Sequence, residues 1–384
     1  MRFSVDAHAI GRHLTGNEVY IRSLLSAFAG LDHDSEFIAY LSMPEAREWV
    51  PSRFRTRWVS ANPFIRLGCD LTRKLRQDRP DLIHVQYTAP LACPAPIVAS
   101  VHDVSFLEHP EYFPPARALQ LQWTVRHTVN RAVKILTGSE FSRDSIAKAY
   151  GVNGDNVVVV PNAAAAIFRP MRREHARAFV LSKYGLPAPF LLTVGDLQPR
   201  KNHIRLIQAF ADLVGSNPSI PHHLVLAGKE TWFASRVLEA ARQSGVADRI
   251  RFAGFVSDDD LLRLYNACDV FVFPSLYEGF GLPILEAMAC GRAVTCSNSS
   301  AMLEVANGAA ILFDPESRSE MARAMSDLIV DGELRVRMER LGLQRSSQFS
   351  WQRTAERTLE VYREVAMRAR PSRRATAAMA AARK

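Results

Sequence analysis

Glu278-Gly-Phe-Gly-Leu-Pro-Ile-Leu-Glu286 reads as a loop that turns into a helix, with two carboxylates eight positions apart. Gly279 and Gly281 let backbone approach a ligand with no Cβ in the way. Pro283 suits the first turn of a helix, where its missing N–H costs nothing. Ile284 to Ala289 then continue as good helix formers. The loop N–H groups and the helix start make an electropositive cup. Glu278 stands at its mouth and Glu286 about two turns inside. The apolar run Asp269-Val-Phe-Val-Phe-Pro274 ahead of the cup reads as a strand. Strand, glycine turn and helix start together mark a ligand site in an open α/β sheet. Taken alone, a glycine-rich turn and two glutamates fit a solvated loop equally well.

The surrounding pattern is strand–helix alternation. Strands are expected near Phe3–Ala7, Glu36–Leu41, Leu82–Gln86, Pro96–His102, Lys134–Gly138 and Val157–Pro161. Six more are expected near Phe190–Val194, His223–Ala227, Arg251–Phe255, Asp269–Phe273, Ala293–Cys296 and Ala310–Phe313. In Glu18–Phe28, the residues Val19, Ile21, Leu24, Leu25 and Phe28 fall close to a period of 3.6. Such alternation implies parallel sheets wrapped by helices. The strand number suits two Rossmann-like domains better than one sheet, as does a length of 384 residues. Phe168 to Pro189, basic, then polar, then Gly-Leu-Pro-Ala-Pro, reads as the linker. A late helix, Thr354 to Met367, carries Ala355, Leu359, Val361 and Tyr362 on its apolar face, with Ser350 as N-cap. The expected divisions are 1–168, 169–350, a helix over 351–367 and a disordered tail over 368–384.

Three other stretches carry chemistry. In Leu192-Thr-Val-Gly-Asp-Leu-Gln-Pro-Arg-Lys-Asn202, a strand delivers Gly195, and a loop presents Arg200 and Lys201 ahead of a helix over Ile204–Val214. Cations at a helix start oppose its dipole, which a bound diphosphate would explain: Arg as a fork, Lys as a point charge. In Ser100-Val-His-Asp-Val104, His102 ends a buried strand, the side of an α/β sheet where sites form. Asp103 reads as a cap for the following loop. In Ala9-Ile-Gly-Arg-His-Leu-Thr-Gly-Asn-Glu18, Gly16 permits close backbone approach at a helix start.

With Ala287-Met-Ala-Cys-Gly-Arg-Ala-Val294 following the paired glutamates, Ser275 to Val294 resembles the donor-site signature of the family 4 retaining glycosyltransferases. Gly138-Ser-Glu-Phe-Ser-Arg143 and Val160-Pro-Asn-Ala163 also resemble blocks of that family, which usually has glycine at the position of Ala163. The resemblance spans about Val5 to Met367. It implies the GT-B fold: two Rossmann-like domains facing a cleft, with the last helix crossing back to the first. It implies that Glu286 holds the ribose of a nucleotide-sugar donor. Glu278 and the backbone of Gly279, Phe280, Gly281 and Leu282 would bind the sugar, while Lys201 and Arg200 would take the diphosphate. His102 matches a histidine beside the donor sugar, and Gly16 a glycine near the diphosphate and acceptor. Many members have arginine directly after the glycine of the phosphate loop, where this chain has Asp196; Asn17-Glu18-Val19-Tyr20 also departs from the usual run. Catalytic roles therefore fall to Glu278, His102 and Lys201. Mannose from GDP-mannose is the first donor expected, with rhamnose, glucose and N-acetylglucosamine donors open. The acceptor is a saccharide or lipid-linked saccharide. A pyridoxal-dependent phosphorylase would need a much longer chain. A non-catalytic nucleotide-sugar-binding relative would be expected to have lost a glutamate or the lysine.

Composition bounds the rest. The chain is 48% hydrophobic and 23% charged, ordinary for a globular protein. It has no apolar run long enough to span a bilayer and no signal-peptide pattern at its start. The five cysteines lack metal or disulfide spacing and read as free thiols in a reducing cytoplasm. No cofactor and no metal are expected. The net charge of +9 concentrates in two places: eight Arg/Lys between Arg53 and Arg79, and six between Arg368 and Lys384. Both fit either a solvated surface or attraction to an anionic membrane at its inner face. No motif supports nucleic-acid binding.

Overall fold

The computed structural model describes the backbone of residues 1–12 and 15–381 and the side chains of 1–12 and 16–368. The chain folds as two compact units, Met1–Asn162 with Ser350–Lys384, and Ala163–Phe349.

The first unit holds β1 (Arg2–Asp6), β2 (Glu36–Leu41), β3 (Arg55–Trp58), β4 (Leu82–Gln86), β5 (Ile97–Ser100), β6 (Ala132–Thr137) and β7 (Val157–Val159). They form a parallel sheet in the order β3-β2-β1-β4-β5-β6-β7. The second unit holds β8 (Phe190–Val194), β9 (His223–Ala227), β10 (Ile250–Gly254), β11 (Val270–Phe273), β12 (Ala293–Ser297) and β13 (Ile311–Phe313). Their order is β10-β9-β8-β11-β12-β13, also parallel. Both are doubly wound sheets, whose strand order reverses at one place: β1/β4 in the first and β8/β11 in the second.

The second sheet shows how the apolar runs encode this. Successive side chains of a strand point to opposite faces. Phe271 and Phe273 enter the core that holds Tyr265 and Met288. Val270 and Val272 enter the core beneath the His203–Ser216 helix, with Phe210 and Leu213. A strand buried on both faces needs an unbroken apolar run, and Val-Phe-Val-Phe supplies it.

Three features differ from the sequence expectation. Arg55–Trp58 adds an edge strand that its basic composition hid; beside β2 only one flank needs pairing, and its residues stay partly exposed. The stretch 168–189 is not a plain linker, because Arg173–Tyr184 is a helix that buries Ala176 and Val180 and ends on left-handed Gly185. The boundary between units accordingly falls at Asn162/Ala163. The last helix runs Trp351–Ala381 and takes in most of the segment read as disordered, consistent with the high helix propensity of its Ala and Arg residues; residues 382–384 lie outside the described residues. This helix belongs to the first unit, packing on the Thr15–Leu31 helix, with Tyr362 Oη 2.5 Å from His84 Nδ1 on β4. The Ser350 hydroxyl caps it, accepting from the Arg353 N–H at 3.2 Å.

The basic stretch Arg53–Arg79 is largely internally matched. Arg55 and Arg57 face Asp78 at 3.3 and 3.4 Å, Lys74 faces Asp70, and Arg53 donates to the Asp32 carbonyl. Arg66 is buried on Asp6, at the end of β1, at 2.7 Å. Burial alone would raise the Asp6 carboxyl, but Arg66 and His8 outweigh it and hold it below the usual range. Removing one partner of a buried ion pair leaves a charge uncompensated. Arg66→Ala should therefore cost about 3–5 kcal/mol of unfolding free energy in a denaturant titration. A loss under about 1 kcal/mol would show that water reaches Asp6.

Candidate functional site

The chain leaves β8 and β11 at adjacent points, at the reversal of strand order. Where it leaves β8, Gly195 N–H donates to the Ala227 carbonyl at 2.8 Å. A Cβ on Gly228 would overlap the Gly195 carbonyl, so this close approach of the loops after β8 and β9 requires glycine. Asp196 accepts the Lys229 N–H at 3.2 Å, which makes it a turn-closing residue. A single 3-10 turn, Pro199–Lys201, follows, and Asn202 enters the left-handed region at φ 57°. Its amide donates to the carbonyls of Pro274 at 3.1 Å and Pro315 at 2.8 Å. These contacts aim Arg200 and Lys201 at the loop after β11.

Both cations meet Glu278. Lys201 Nζ lies 2.7 Å from Oε1, and an Arg200 guanidinium nitrogen 2.6 Å from Oε2. Arg200 also donates to the Tyr277 carbonyl at 2.8 Å, and its own carbonyl accepts from Leu276 at 2.8 Å. From the other side the loop after β12 fixes the same segment. Ser300 Oγ accepts the Glu278 N–H at 3.0 Å, and Ser299 Oγ donates to the Leu276 carbonyl at 3.0 Å. Ser300 holds φ 51°, an uncommon conformation for a residue with a side chain. Glu278 is 8% exposed. Burial raises its pKa, yet Arg200 and Lys201 overcome that and hold it at about 2. Burial also lowers the Lys201 pKa, and Glu278 counters it.

Gly281 takes φ 105° at the start of the Leu282–Ala289 helix, with Pro283 in its first turn. The Phe280 ring turns inward, edge-on to Phe349 with centroids 5.9 Å apart. Glu286 sits on this helix and accepts from the Tyr265 hydroxyl at 2.9 Å. Its environment is opposite to that of Glu278. Burial pushes its pKa up to about 7, with the Tyr265 hydrogen bond pulling the other way and the Asp258 charge adding to the rise. Sequence reasoning passed over Tyr265, which reads as a core position, and Ser300, which carries no motif.

Arg200, Lys201, Glu278 to Leu282 and Glu286 thus fall in the second unit, and Gly16 and His102 in the first. Gly16 is exposed in the first turn of the Thr15–Leu31 helix. His102 follows β5, with Nε2 3.1 Å from Gln86 Oε1, so Nε2 carries the proton; Gln86 in turn donates to the Asn17 carbonyl at 3.1 Å. Burial pushes His102 down to about 4, so it stays neutral at pH 7. Asp103 caps its loop, accepting from the Ser105 N–H at 3.0 Å.

A family model described as "Glycosyl transferases group 1" matches residues 182–345, and one described as "Glycosyltransferase Family 4" matches residues 14–164. The O-antigen chain mannosyltransferase B of Escherichia coli is 34% identical over 268 residues, covering 69% of this chain and 70% of that protein. The chain belongs to the group 1 glycosyltransferases. It spans only 28% of a further relative, the serotype-specific mannosyltransferase WbdA of Escherichia coli, at 34% identity over 60% of its own length. Among solved structures, the Anabaena Alr3699/HepE protein, in complex with UDP and glucose, superposes with a TM-score of 0.76 at 19% identity, over 94% of this chain and 99% of that one. The shared architecture is the GT-B fold of glycosyltransferases.

In this group 1 glycosyltransferase, no three His, Cys, Asp or Glu among the described residues are grouped to hold a metal ion. Asp32-His33-Asp34 and Asp258-Asp259-Asp260 both have the Asp-x-Asp spacing of metal-dependent transferases. However, Asp32 binds Ser35 and Arg363, while Asp260 binds Lys183 and Tyr184. Among the described residues no helix is long and apolar enough to cross a membrane.

The Glu286 shift has a stability consequence. The folded state keeps a proton that an unfolded glutamate releases near pH 4.3. The native state then binds more protons than the unfolded one, and stability falls as pH rises from about 4.5 to 7. Glu286→Gln removes this term. Denaturant midpoints at pH 5 and 7.5 should therefore fall less in the variant than in the wild type. Parallel profiles would contradict a raised Glu286.

Proposed function

We propose that this chain is a retaining, metal-independent hexosyltransferase. It transfers mannose from GDP-mannose to a saccharide or lipid-linked saccharide in glycan biosynthesis. The observation that carries this reading is the convergence of Arg200 and Lys201 on Glu278 at the β8/β11 reversal point. Two partly buried cations suit a diphosphate leaving group. A carboxylate that stays ionised beside them can hydrogen-bond sugar hydroxyls and face the positive charge of an oxocarbenium-like transition state. Glu286 takes the ribose hydroxyls. His102, neutral and oriented by Gln86, hydrogen-bonds the donor sugar, and Gly16 lets backbone near the diphosphate. Retention follows from same-face substitution, with no enzyme nucleophile. The mannosyltransferase identity of the Escherichia coli relative favours mannose; dTDP-rhamnose, UDP-glucose and UDP-N-acetylglucosamine are the competing donors. A thermal-shift panel separates them, since a donor at 100 times its Kd stabilises by about 2.7 kcal/mol.

Lys201→Ala tests the leaving-group role. By analogy with loss of an oxyanion donor, turnover should fall about 10²–10³-fold with the fold intact. Activity within a few-fold of wild type would assign the charge to another group. Wild-type turnover should persist in EDTA, and a strict metal requirement would overturn the metal-independent step.

A lipid-linked acceptor on the inner face of an anionic membrane is favoured by the exposed apolar and basic residues of one segment. Phe64 is 78% exposed and Ile65 and Trp58 about half exposed, and Arg73, Arg76 and Arg79 further along the same segment are exposed as well. Since much of the basic stretch is already paired, binding should need both apolar contact and charge. In liposome sedimentation the protein should pellet with anionic vesicles, less at 1 M salt, where the Debye length is about 3 Å. Phe64→Glu and truncation after Met367 should each weaken pelleting. Equal pelleting with neutral vesicles would remove the electrostatic part of this reading.

A further inference from the structure

Tyr265 is fully buried in the Asp258–Ala267 helix. Its ring is wedged edge-on against Phe168, with centroids 5.6 Å apart, and Phe271, at 5.3 Å. That cage leaves the ring no freedom to swing. Its hydroxyl points at the Leu282–Ala289 helix and donates to Glu286 Oε2 at 2.9 Å. A buried phenol beside a carboxylate resists ionisation: burial and then the Glu286 charge raise Tyr265 well above its usual range, so it remains a donor at any working pH.

We propose that Tyr265 is a positioning residue for nucleotide recognition: it fixes Glu286 through Oε2 and so presents Oε1 to the ribose. The proposal rests on the ribose role given to Glu286 above. The reasoning is geometric. A carboxylate on a glutamate has three torsions between it and the backbone, and a ribose diol needs it in one orientation. A hydrogen bond from a caged ring to one oxygen removes that freedom before the ligand arrives, which is how preorganisation lowers the cost of binding. The same bond favours the ionised carboxylate, the form that accepts from hydroxyls. The other ionisable groups acting on this pair are Asp258 on the Tyr265 helix, Lys201 beyond β8, and the thiols Cys268 and Cys290. None of them supplies a hydrogen bond to Oε2, so the tyrosine hydroxyl is the group to remove.

The test uses Tyr265→Phe, which keeps the ring in its cage and deletes only the donor, with Glu286→Gln as reference and thermal melting as the check of folding. The probes are GDP and UDP with their 2′-deoxy forms, titrated calorimetrically from pH 6 to 8.5 on the full chain; the ribo-over-deoxy preference is read on whichever base binds. Wild type should prefer the ribonucleotide, increasingly as pH rises through about 7. Tyr265→Phe should cut that preference about tenfold, of the order of one lost charge-assisted hydrogen bond, and move its pH midpoint upward. It should raise KM for the donor more than it lowers kcat. If Glu286→Gln abolishes the preference while Tyr265→Phe leaves ratio and midpoint unchanged, Tyr265 is only a core residue and the proposal fails, with the ribose reading intact. If Glu286→Gln leaves the preference untouched, the ribose reading itself fails and the proposal with it.

Discussion

A buried carboxylate must be matched in charge or it will take up a proton, and Glu278 is matched twice. The penalty for taking an ion out of water is several kcal/mol. Arg200 and Lys201 offset it with contacts of 2.6 and 2.7 Å. Much of the local architecture serves that meeting. Gly228 lets two loops touch, Asn202 turns the chain sharply and ties it to Pro274 and Pro315, and Ser299 and Ser300 hold the carboxylate's own backbone from the far side. The parallel sheet brings these loops together because β8 and β11 are neighbours in space, although far apart in sequence. On the proposed function, an incoming diphosphate competes with Glu278 for the same two cations, while sugar hydroxyls replace what the carboxylate gives up.

The two glutamates of the opening motif are driven in opposite directions by their surroundings. Cations hold Glu278 ionised at about pKa 2, whereas burial raises Glu286 to about 7 against the opposing hydrogen bond from the Tyr265 hydroxyl. Environments that separate two like groups in this way usually separate their roles. Here the ionised one stands with Arg200 and Lys201, and the adjustable one lies on the Leu282–Ala289 helix.

Much of this was legible in the sequence, for identifiable reasons. Strands buried on both faces must be apolar throughout, so β8, β9 and β11 announce themselves. Gly281 and Pro283 mark a helix start because few other residues fit those backbone positions. What escaped reading depends on distant partners. The edge strand Arg55–Trp58 is polar because only β2 flanks it. The Arg173–Tyr184 helix was hidden in a charged stretch whose apolar face is narrow. The basic segment looked like free charge, yet Asp78 within it takes up Arg55 and Arg57, and Asp6, from β1, takes up Arg66. Asp196 looked like a lost phosphate ligand and proved to be a turn residue, with Arg200 standing close to Lys201 instead. Nothing in the motif itself marked Tyr265, because only the fold lays it against Glu286.

The central claim is that Arg200 and Lys201 form a diphosphate site. Its most direct test is the calorimetric affinity of the wild-type chain for GDP against GMP at fixed pH and salt. The β-phosphate adds charge-assisted hydrogen bonds of about 1.5–3 kcal/mol each, so GDP should bind at least about tenfold tighter. Equal affinities would mean that the β-phosphate does not reach these two cations, and would contradict the account.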